Sequence, residues 1–273
     1  MSDFEIIDGE FYTGLLTQSK RPQTYAAYST AQPVLSMAEI RKLLANPDRT
    51  PARVRFPSSL WIRSQGRRGS CNGYAGAWAL ARARVNAGLP FVPLSGEYLY
   101  ALINGGRDAG SNLDAGMKAI QTKGVARENL VKHESYLFRD MSAEAREDAA
   151  NHMGFECYSA NDPIELASGL AFGFVGVVAV HASGAYRGLD SRGVRGASRG
   201  PGNHAVGVQD VRINPGGELE YDEFGSWGRG NGQDGCAWLT WDRHLEPTSP
   251  HHEFYLIRAA SDARQSDVPR VKL

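Results

Sequence analysis

The chain has 273 residues, of which 42% are hydrophobic and 22% charged, and its 30 basic and 30 acidic side chains balance. This composition is typical of a globular protein that buries a large core without a metal or disulfide framework. No apolar run reaches the ~18 residues that a membrane-spanning helix needs. The sequence also has no internal repeat, phosphate-binding loop, dinucleotide fingerprint or pair of zinc-type clusters. We therefore expect no membrane, nucleic-acid, metal or cofactor partner.

Residues 1–50 are predicted to form an N-terminal arm. The first eight residues lack the basic start and apolar centre of a signal peptide, so we expect a cytoplasmic protein as synthesised, with association with a virus particle left open. Residues 17–33 are extended and polar. Residues 36–44 have a helix pattern that Asn46 and Pro47 end.

The most informative stretch is residues 65–71, which read Gln-Gly-Arg-Arg-Gly-Ser-Cys. A helix pattern follows over residues 74–84, so Gly69 and Ser70 are expected to place Cys71 at a helix N-terminus. A thiol attacks a carbonyl only as the thiolate, and a helix N-terminus and a nearby cation lower its usual pKa of ~8.5. Cys71 is therefore a candidate nucleophile, although a lone cysteine is more often a small buried hydrophobe.

The remaining predicted elements follow in chain order. Ser95 is an expected N-cap for a helix within residues 94–100, and a Gly-Ser pair precedes a short helix within 110–120. Asn-His-Ala-Val follows at 203–206, after a loop rich in glycine and arginine, and Gly-Ser-Trp-Gly lies at 225–228. The predicted strands are 173–180, 235–241 and 254–257.

The order of these motifs resembles the active site of papain-like cysteine peptidases over residues 50–258. In that family a glutamine stands six positions before the cysteine, as Gln65 does here, and the histidine comes from the second half of the chain. The resemblance implies an α+β, two-lobed fold, with a helical lobe, an antiparallel β-barrel-like lobe and a cleft between them. It also implies three segments, namely 1–50 as an N-terminal arm or short pro-segment, 51–258 as the peptidase domain and 259–273 as a C-terminal tail.

The resemblance also implies roles for individual residues. Cys71 is the expected nucleophile, His204 the base that takes its proton, and Gln65 an oxyanion donor together with the Cys71 backbone N–H. The implied reaction is hydrolysis of a peptide bond in a peptide or protein substrate through an acyl-enzyme. The expected substrate-binding residues are Gly110, Ser111, Asn203 and Trp227.

The sequence departs from the family pattern at three positions. Arg68 stands where secreted members carry a disulfide cysteine, and Asn72 stands where they usually carry tryptophan. Gly225 stands where the Asn-Ser-Trp-Gly motif places the asparagine that orients the histidine. Since glycine has no side chain to accept from an imidazole, His204 is expected either to be held by another group or to be loosely held. Asp222 and Glu223 are the nearest candidates in sequence for a substitute acceptor.

Because of these departures, two functions stay open. The chain is either an active peptidase or a papain-like scaffold with weakened catalysis that serves in the assembly of a phage particle or bacterial complex. A peptidoglycan amidase shares the Cys-then-His order, but the Gln65 spacing and the Ser-Trp-Gly motif disfavour it. For the N-terminal arm, docking to protein assembly partners or packing on the core is favoured over inhibition.

Cysteine usage and charge distribution complete the pattern. Three widely spaced cysteines, Cys71, Cys157 and Cys236, are expected to form no disulfide, which favours a reducing compartment.

Residues 41–84 hold ten basic side chains and one acid, whereas residues 208–246 hold eight acids and three arginines. Most of these charges are expected on solvated faces.

Overall fold

Helices dominate the first half of the chain and strands the second in the computed structural model, which describes residues 6–7, 11–16, 25–56, 61–246 and 254–260. The helices are α1 Tyr28–Ala31, α2 Met37–Leu44, α3 Ala52–Arg55, α4 Cys71–Asn86, α5 Gly96–Ile103, α6 Leu113–Thr122, α7 Ala143–Ala149, α8 Pro163–Ala171 and α9 Gly184–Arg187. The strands are β1 Ile6–Ile7, β2 Phe11–Tyr12, β3 Gly154–Ser159, β4 Val175–Val180, β5 His204–Ile213, β6 Leu219–Phe224, β7 Cys236–Thr240 and β8 Phe254–Ala260. A π-helical turn, Trp241–Leu245, follows β7.

Helix α4 is the central element of the helical part. Residues 71–84 of this helix are all buried, so it is covered on every side rather than along one stripe. Small residues permit this close packing: a Cβ on Gly73 would lie 2.3 Å from the carbonyl oxygen of Gly96, at the start of α5. The predicted helix start at Cys71 is confirmed.

Side-chain caps fix where several helices begin. Ser36 accepts from the Glu39 backbone N–H, and the Glu39 carboxylate accepts from the Ser36 backbone N–H, so α2 has a complete capping box. The Ser95 hydroxyl accepts from the Tyr98 N–H at 3.1 Å. Both predicted helix starts are confirmed.

Six strands form one antiparallel sheet in the order β3-β8-β4-β5-β6-β7. Every residue of β4 is buried, as the apolar run at 173–180 predicts. The pairing of β4 with β5 places Val180 opposite His204, at the first residue of β5. The predicted α+β fold, helical in one part and antiparallel in the other, is confirmed.

Two hydrophobic cores flank this sheet. One contains the buried face of α4 with α5, α6 and residues of β4 and β8, and the other lies between the opposite sheet face and α8. Because α4 packs on β5, the N-terminus of the helix and the first residue of the strand approach each other. No helix in the described ranges is both long and apolar enough to cross a bilayer.

Parts of the predicted boundaries lie outside the described residues. Of the predicted tail 259–273, only positions 259 and 260 are described, as the end of β8. Of the extended polar stretch 17–33, positions 17–24 are not described. The limits of the three predicted segments therefore stay predictions.

Candidate active site

Cys71 is the first residue of α4 and is completely buried. The backbone N–H groups of Ala205, Asn72, Gly14 and Cys71 itself lie near the sulfur and favour the thiolate, which lowers the pKa of the thiol. Burial outweighs this effect and raises the pKa of the Cys71 thiol to about 11. In this closed arrangement the thiol is therefore protonated at neutral pH.

His204 is the first residue of β5 and precedes Ala205, whose backbone N–H lies near the Cys71 sulfur. The imidazole stacks on Trp227, with ring centroids 4.2 Å apart and an interplanar angle of 21°. Burial, assisted by the charge of Arg195, lowers the pKa of His204 to about 3. The Nδ1 atom is buried and has no hydrogen-bond partner among the described residues.

Gln65 is buried and makes three side-chain hydrogen bonds. Its amide donates to the carbonyl oxygens of Tyr12, at 3.1 Å, and Arg68, at 2.6 Å. Its carbonyl oxygen accepts from the Ser226 hydroxyl, and its backbone N–H donates to the Ser226 carbonyl at 2.7 Å. Gln65 is thus joined to the Gly-Ser-Trp-Gly motif.

Residues 11–16 of the N-terminal arm lie across the site. The Gly14 and Leu15 N–H groups donate to the Asn203 carbonyl at 3.2 and 3.0 Å. The Leu16 N–H donates to the Ser111 carbonyl at 3.0 Å, and the Ser111 N–H donates to the Gly14 carbonyl at 2.9 Å. The backbones of two predicted substrate-binding residues therefore bind the protein's own chain.

The Tyr12 carbonyl binds two of the predicted site residues, the oxyanion-donor candidate Gln65 and the substrate-binding candidate Trp227. It accepts from the Gln65 amide and, at 2.9 Å, from the indole N–H of Trp227. The preceding ring, Phe11, packs on Trp227 with centroids 5.1 Å apart and lies under the guanidinium of Arg187 at 3.9 Å.

Two glycines make the close fit of this segment possible. A Cβ on Gly14 would lie 2.1 Å from the Gly69 carbonyl oxygen, which no side chain tolerates. A Cβ on Gly110, whose φ is +81°, would lie 2.3 Å from the Gly14 carbonyl oxygen. Gly14 therefore passes between the loop that precedes Cys71 and the loop that contains Ser111.

Solved structures resemble this architecture closely in extent but distantly in sequence. Xylellain, a cysteine protease from Xylella fastidiosa, has a TM-score of 0.65 and 20% identity, over 91% of this chain and 96% of that one. Procathepsin B S9 from Trypanosoma congolense has a TM-score of 0.61 and 15% identity, over 92% of this chain and 87% of that one. Digestive procathepsin L 3 of Tenebrio molitor larval midgut has a TM-score of 0.61 and 16% identity, over 89% of this chain and 76% of that one. The chain has the papain-like cysteine protease fold. Neither a family model nor a curated protein matches the sequence.

In the described part of this papain-like fold, neither Asp222 nor Glu223 substitutes for the acceptor that is missing at Gly225. Glu223 accepts from the Arg195 guanidinium at 2.9 and 3.2 Å, and Asp222 accepts from Arg53 and Gln209. Neither carboxylate bonds to the His204 ring in the described structure. The expectation that one of them orients the histidine is therefore wrong, because each is held by a buried or half-buried cation.

Two of the three family departures have a structural explanation. The Asn72 amide donates to the Ser111 hydroxyl at 3.1 Å and to the Asn112 carbonyl at 2.6 Å, so it links α4 to the loop before α6. Arg68 forms an ion pair with Asp108 at 3.2 Å. All three cysteines are buried free thiols.

Sequence reasoning missed several residues that shape the site. Tyr12 and Gly14 lie in an aromatic and glycine-containing stretch, which distinguishes residues 11–16 from the polar stretch that follows. Arg195 belongs to the loop rich in glycine and arginine that precedes Asn203, and its side chain is only 1% exposed beside Glu223. No group of three His, Cys, Asp or Glu residues in the described ranges is arranged to hold a metal ion.

Proposed function

We propose that the protein is a papain-like cysteine peptidase whose cleft is closed by residues 11–16 of its own arm. The observation that carries the proposal is the position of Cys71 at the N-terminus of α4, close to the His204–Ala205 end of β5. The Gln65 amide is linked to His204 through the Tyr12 carbonyl and Trp227. This arrangement has the nucleophile, base and oxyanion donor that acyl transfer needs, the first on a helix, the second on a strand and the third in the loop before α4. The papain-like fold supports peptidase chemistry in general.

The reaction that this geometry supports has two halves. His204 takes the proton of Cys71, and the thiolate adds to the carbonyl carbon of a peptide bond. The Gln65 amide and the Cys71 N–H stabilise the oxyanion, and His204 returns the proton to the departing amine as the acyl–thioester forms. Water, deprotonated by His204, then attacks the thioester and releases the acid and the thiol.

The closed arm keeps the pair in its neutral form. Burial raises the pKa of Cys71 and lowers that of His204, so an ion pair between them is disfavoured while Gly14 covers the sulfur. When the arm leaves, water enters and both pKa values return toward their ordinary ranges. The helix N-terminus then favours the thiolate.

The scaffold function remains the second candidate, supported by the missing partner of His204 Nδ1 and by Gly225. In that case the arm is a permanent part of the fold. Docking of assembly partners to the arm, cytoplasmic synthesis and association with a virus particle all stay predictions.

Labelling with a papain-class epoxide separates the two candidates. Gly14→Ala cannot keep its backbone against Gly69 and is expected to free the arm, whereas Gly230→Ala, with no atom within 4 Å of its Cβ, is the matched control. We expect slow labelling of wild type and Gly230→Ala, and faster labelling and peptide hydrolysis by Gly14→Ala. Cys71→Ala in the Gly14→Ala chain should abolish both signals. A folded Gly14→Ala protein without either signal supports the scaffold.

A further inference from the structure

Arg68 joins three parts of the protein beside the closed cleft. Its Nη1 atom lies 3.2 Å from Asp108 Oδ2, and its Nε donates to the Glu134 carbonyl at 3.2 Å. Its guanidinium also lies 4.7 Å from the centre of the Tyr136 ring. About a third of the Arg68 side chain is exposed, against 14% for Asp108, so this pair is better shielded than a surface ion pair.

The second oxygen of Asp108 connects the two loops that flank Gly14. Asp108 Oδ1 accepts from the Gly69 N–H at 3.0 Å and from the Tyr100 hydroxyl at 2.8 Å. The Tyr100 oxygen in turn accepts from the Gly110 N–H at 3.0 Å. One carboxylate therefore holds the loop before the nucleophile and the loop before Ser111 at a fixed separation.

The same connection reaches the oxyanion donor. The Arg68 carbonyl accepts one hydrogen of the Gln65 amide at 2.6 Å, so movement of Arg68 moves the atom that orients this amide. Charge-assisted hydrogen bonds with defined geometry hold such groups more firmly than neutral ones. Arg68 also stands at the position where the family resemblance expects a disulfide cysteine, and all three cysteines here are free.

We propose that the Arg68–Asp108 ion pair is a positioning element that sets the separation of the two cleft walls and the orientation of Gln65. This inference rests on the proposed peptidase function for its kinetic consequences. Neither side chain is a catalytic residue, because both act through Gly69, Gly110 and Gln65. A displacement of ~1 Å in such groups costs about 10² in rate.

The kinetic test uses the full chain with Gly14→Ala, in which the cleft is open. We expect Arg68→Met and Asp108→Asn each to lower kcat/KM and the epoxide rate constant by 10- to 100-fold, and the double variant to be no worse than either single one. Arg68→Lys, which keeps the charge, should recover part of the loss. High salt should lower both rate constants of the chain that retains Arg68 and leave those of the Arg68→Met chain unchanged, because salt screens the ion pair.

The matched control is Arg127→Met, which breaks a similarly half-buried pair with Asp148, 2.7 Å apart, away from the cleft. Arg127→Met should lower thermal stability about as much as Arg68→Met does and leave both rate constants within about twofold of those of the Gly14→Ala chain. Equal rates for Arg68→Met and Arg127→Met, or additive losses in the double variant, would overturn the positioning role.

A second measurement separates this inference from the proposed function. In the wild-type chain, amide hydrogen exchange at Gly69 and Gly110 should accelerate in Arg68→Met and not in Arg127→Met. Absence of labelling and hydrolysis in every Gly14→Ala chain, together with coupled exchange at both amides, rejects the peptidase and keeps the ion pair as the connection between the loops. Unchanged exchange at either amide rejects the connection itself.

Discussion

At the scale of single residues, His204 is held by stacking rather than by an orienting hydrogen bond. Trp227 covers one face of the imidazole, and Nδ1 has no partner in the described structure. Stacking fixes the plane of a ring but leaves rotation within that plane free. The base is therefore the weakest part of the proposed dyad.

Replacing Gly225 with asparagine, the residue that the family motif places there, should orient the His204 ring and make it a more effective base. The φ angle of Gly225 is not in the left-handed region, and its added Cβ would lie 3.2 Å from Glu223 Oε1, so Gly225→Asn needs a shift of only a few tenths of an ångström. In the Gly14→Ala chain we expect kcat to rise roughly tenfold, equivalent to about 1.4 kcal/mol. Peptide hydrolysis measures the rate, and ¹⁵N shifts of the imidazole report its tautomer. If Gly225→Asn lowers kcat and leaves the tautomer of His204 unchanged, the new asparagine side chain hydrogen-bonds to Glu223 instead of His204.

Loss of the Gln65 amide should lower turnover without unfolding the protein. In the Gly14→Ala chain, Gln65→Ala is expected to reduce kcat by roughly 10² to 10³, the effect of one oxyanion donor. Ser226→Ala removes the partner of the Gln65 carbonyl oxygen and keeps both amide donors, so it should cost less than tenfold. Equal losses in the two variants would assign Gln65 a structural role only.

At the scale of elements, residues 11–16 of the arm and the proposed peptide substrate cannot occupy the cleft together. Segment 11–16 binds the N–H and C=O groups of Ser111 and the carbonyl of Asn203, which are the groups predicted to bind a peptide substrate. The segment also removes water from Cys71 and His204. Its position is therefore coupled to their protonation.

Acid should release the arm, because the pKa of His204 is lowered to about 3 in the closed form. A depressed histidine pKa favours the neutral ring, so this contribution is complete above the ordinary pKa of ~6.5 and is lost as pH falls toward 3. Between pH 7 and 4, exchange of the Gly14, Leu15 and Leu16 amides should accelerate beyond the intrinsic change. Exchange in β4 is the internal reference. Loss of the effect in His204→Ala would identify the histidine as the titrating group.

At the scale of the whole molecule, ion pairs join the helical part to the sheet. Arg49, which precedes α3, and Arg53, within α3, bind Asp210 on β5 and Asp222 on β6. The Ala52 N–H also donates to Asp210 at 2.7 Å. The basic segment 41–84 and the acidic segment 208–246 are thus partly neutralised by each other, which the expectation of solvated charges missed for these residues.

Removing Arg53 should destabilise the protein substantially. Asp222 is 1% exposed and burial already raises its pKa to about 6, so Arg53→Met leaves a buried carboxyl with the Gln209 amide but without its cation and should cost about 3 kcal/mol at pH 7.5. Because a raised carboxyl pKa favours the protonated form in the folded state, the deficit should shrink as pH falls below 6. Urea unfolding at pH 7.5 and 5 measures both effects. Arg229→Met, at a half-exposed pair with Asp234, should cost less than 1 kcal/mol.

The sequence alone determined the elements that carry the candidate site. The Gly-Ser-Cys helix start, the Ser36 and Ser95 caps and the β4 run follow from interactions within a few residues, and all are confirmed. Such local signals depend on capping, propensity and apolar periodicity, which act without the rest of the fold. The motif order also predicted the papain-like fold.

Only the tertiary structure decided what surrounds that site. The passage of Gly14 between Gly69 and Gly110, and the pairing of Glu223 with Arg195 instead of His204, join segments 28 to 96 residues apart in the chain. Nothing in the local sequence specifies such contacts, because they arise when α4 and the sheet fix the backbone and the remaining groups compete for partners. The sequence therefore determined the chemistry that this protein carries, and the packing of its arm and charges decided whether that chemistry is accessible.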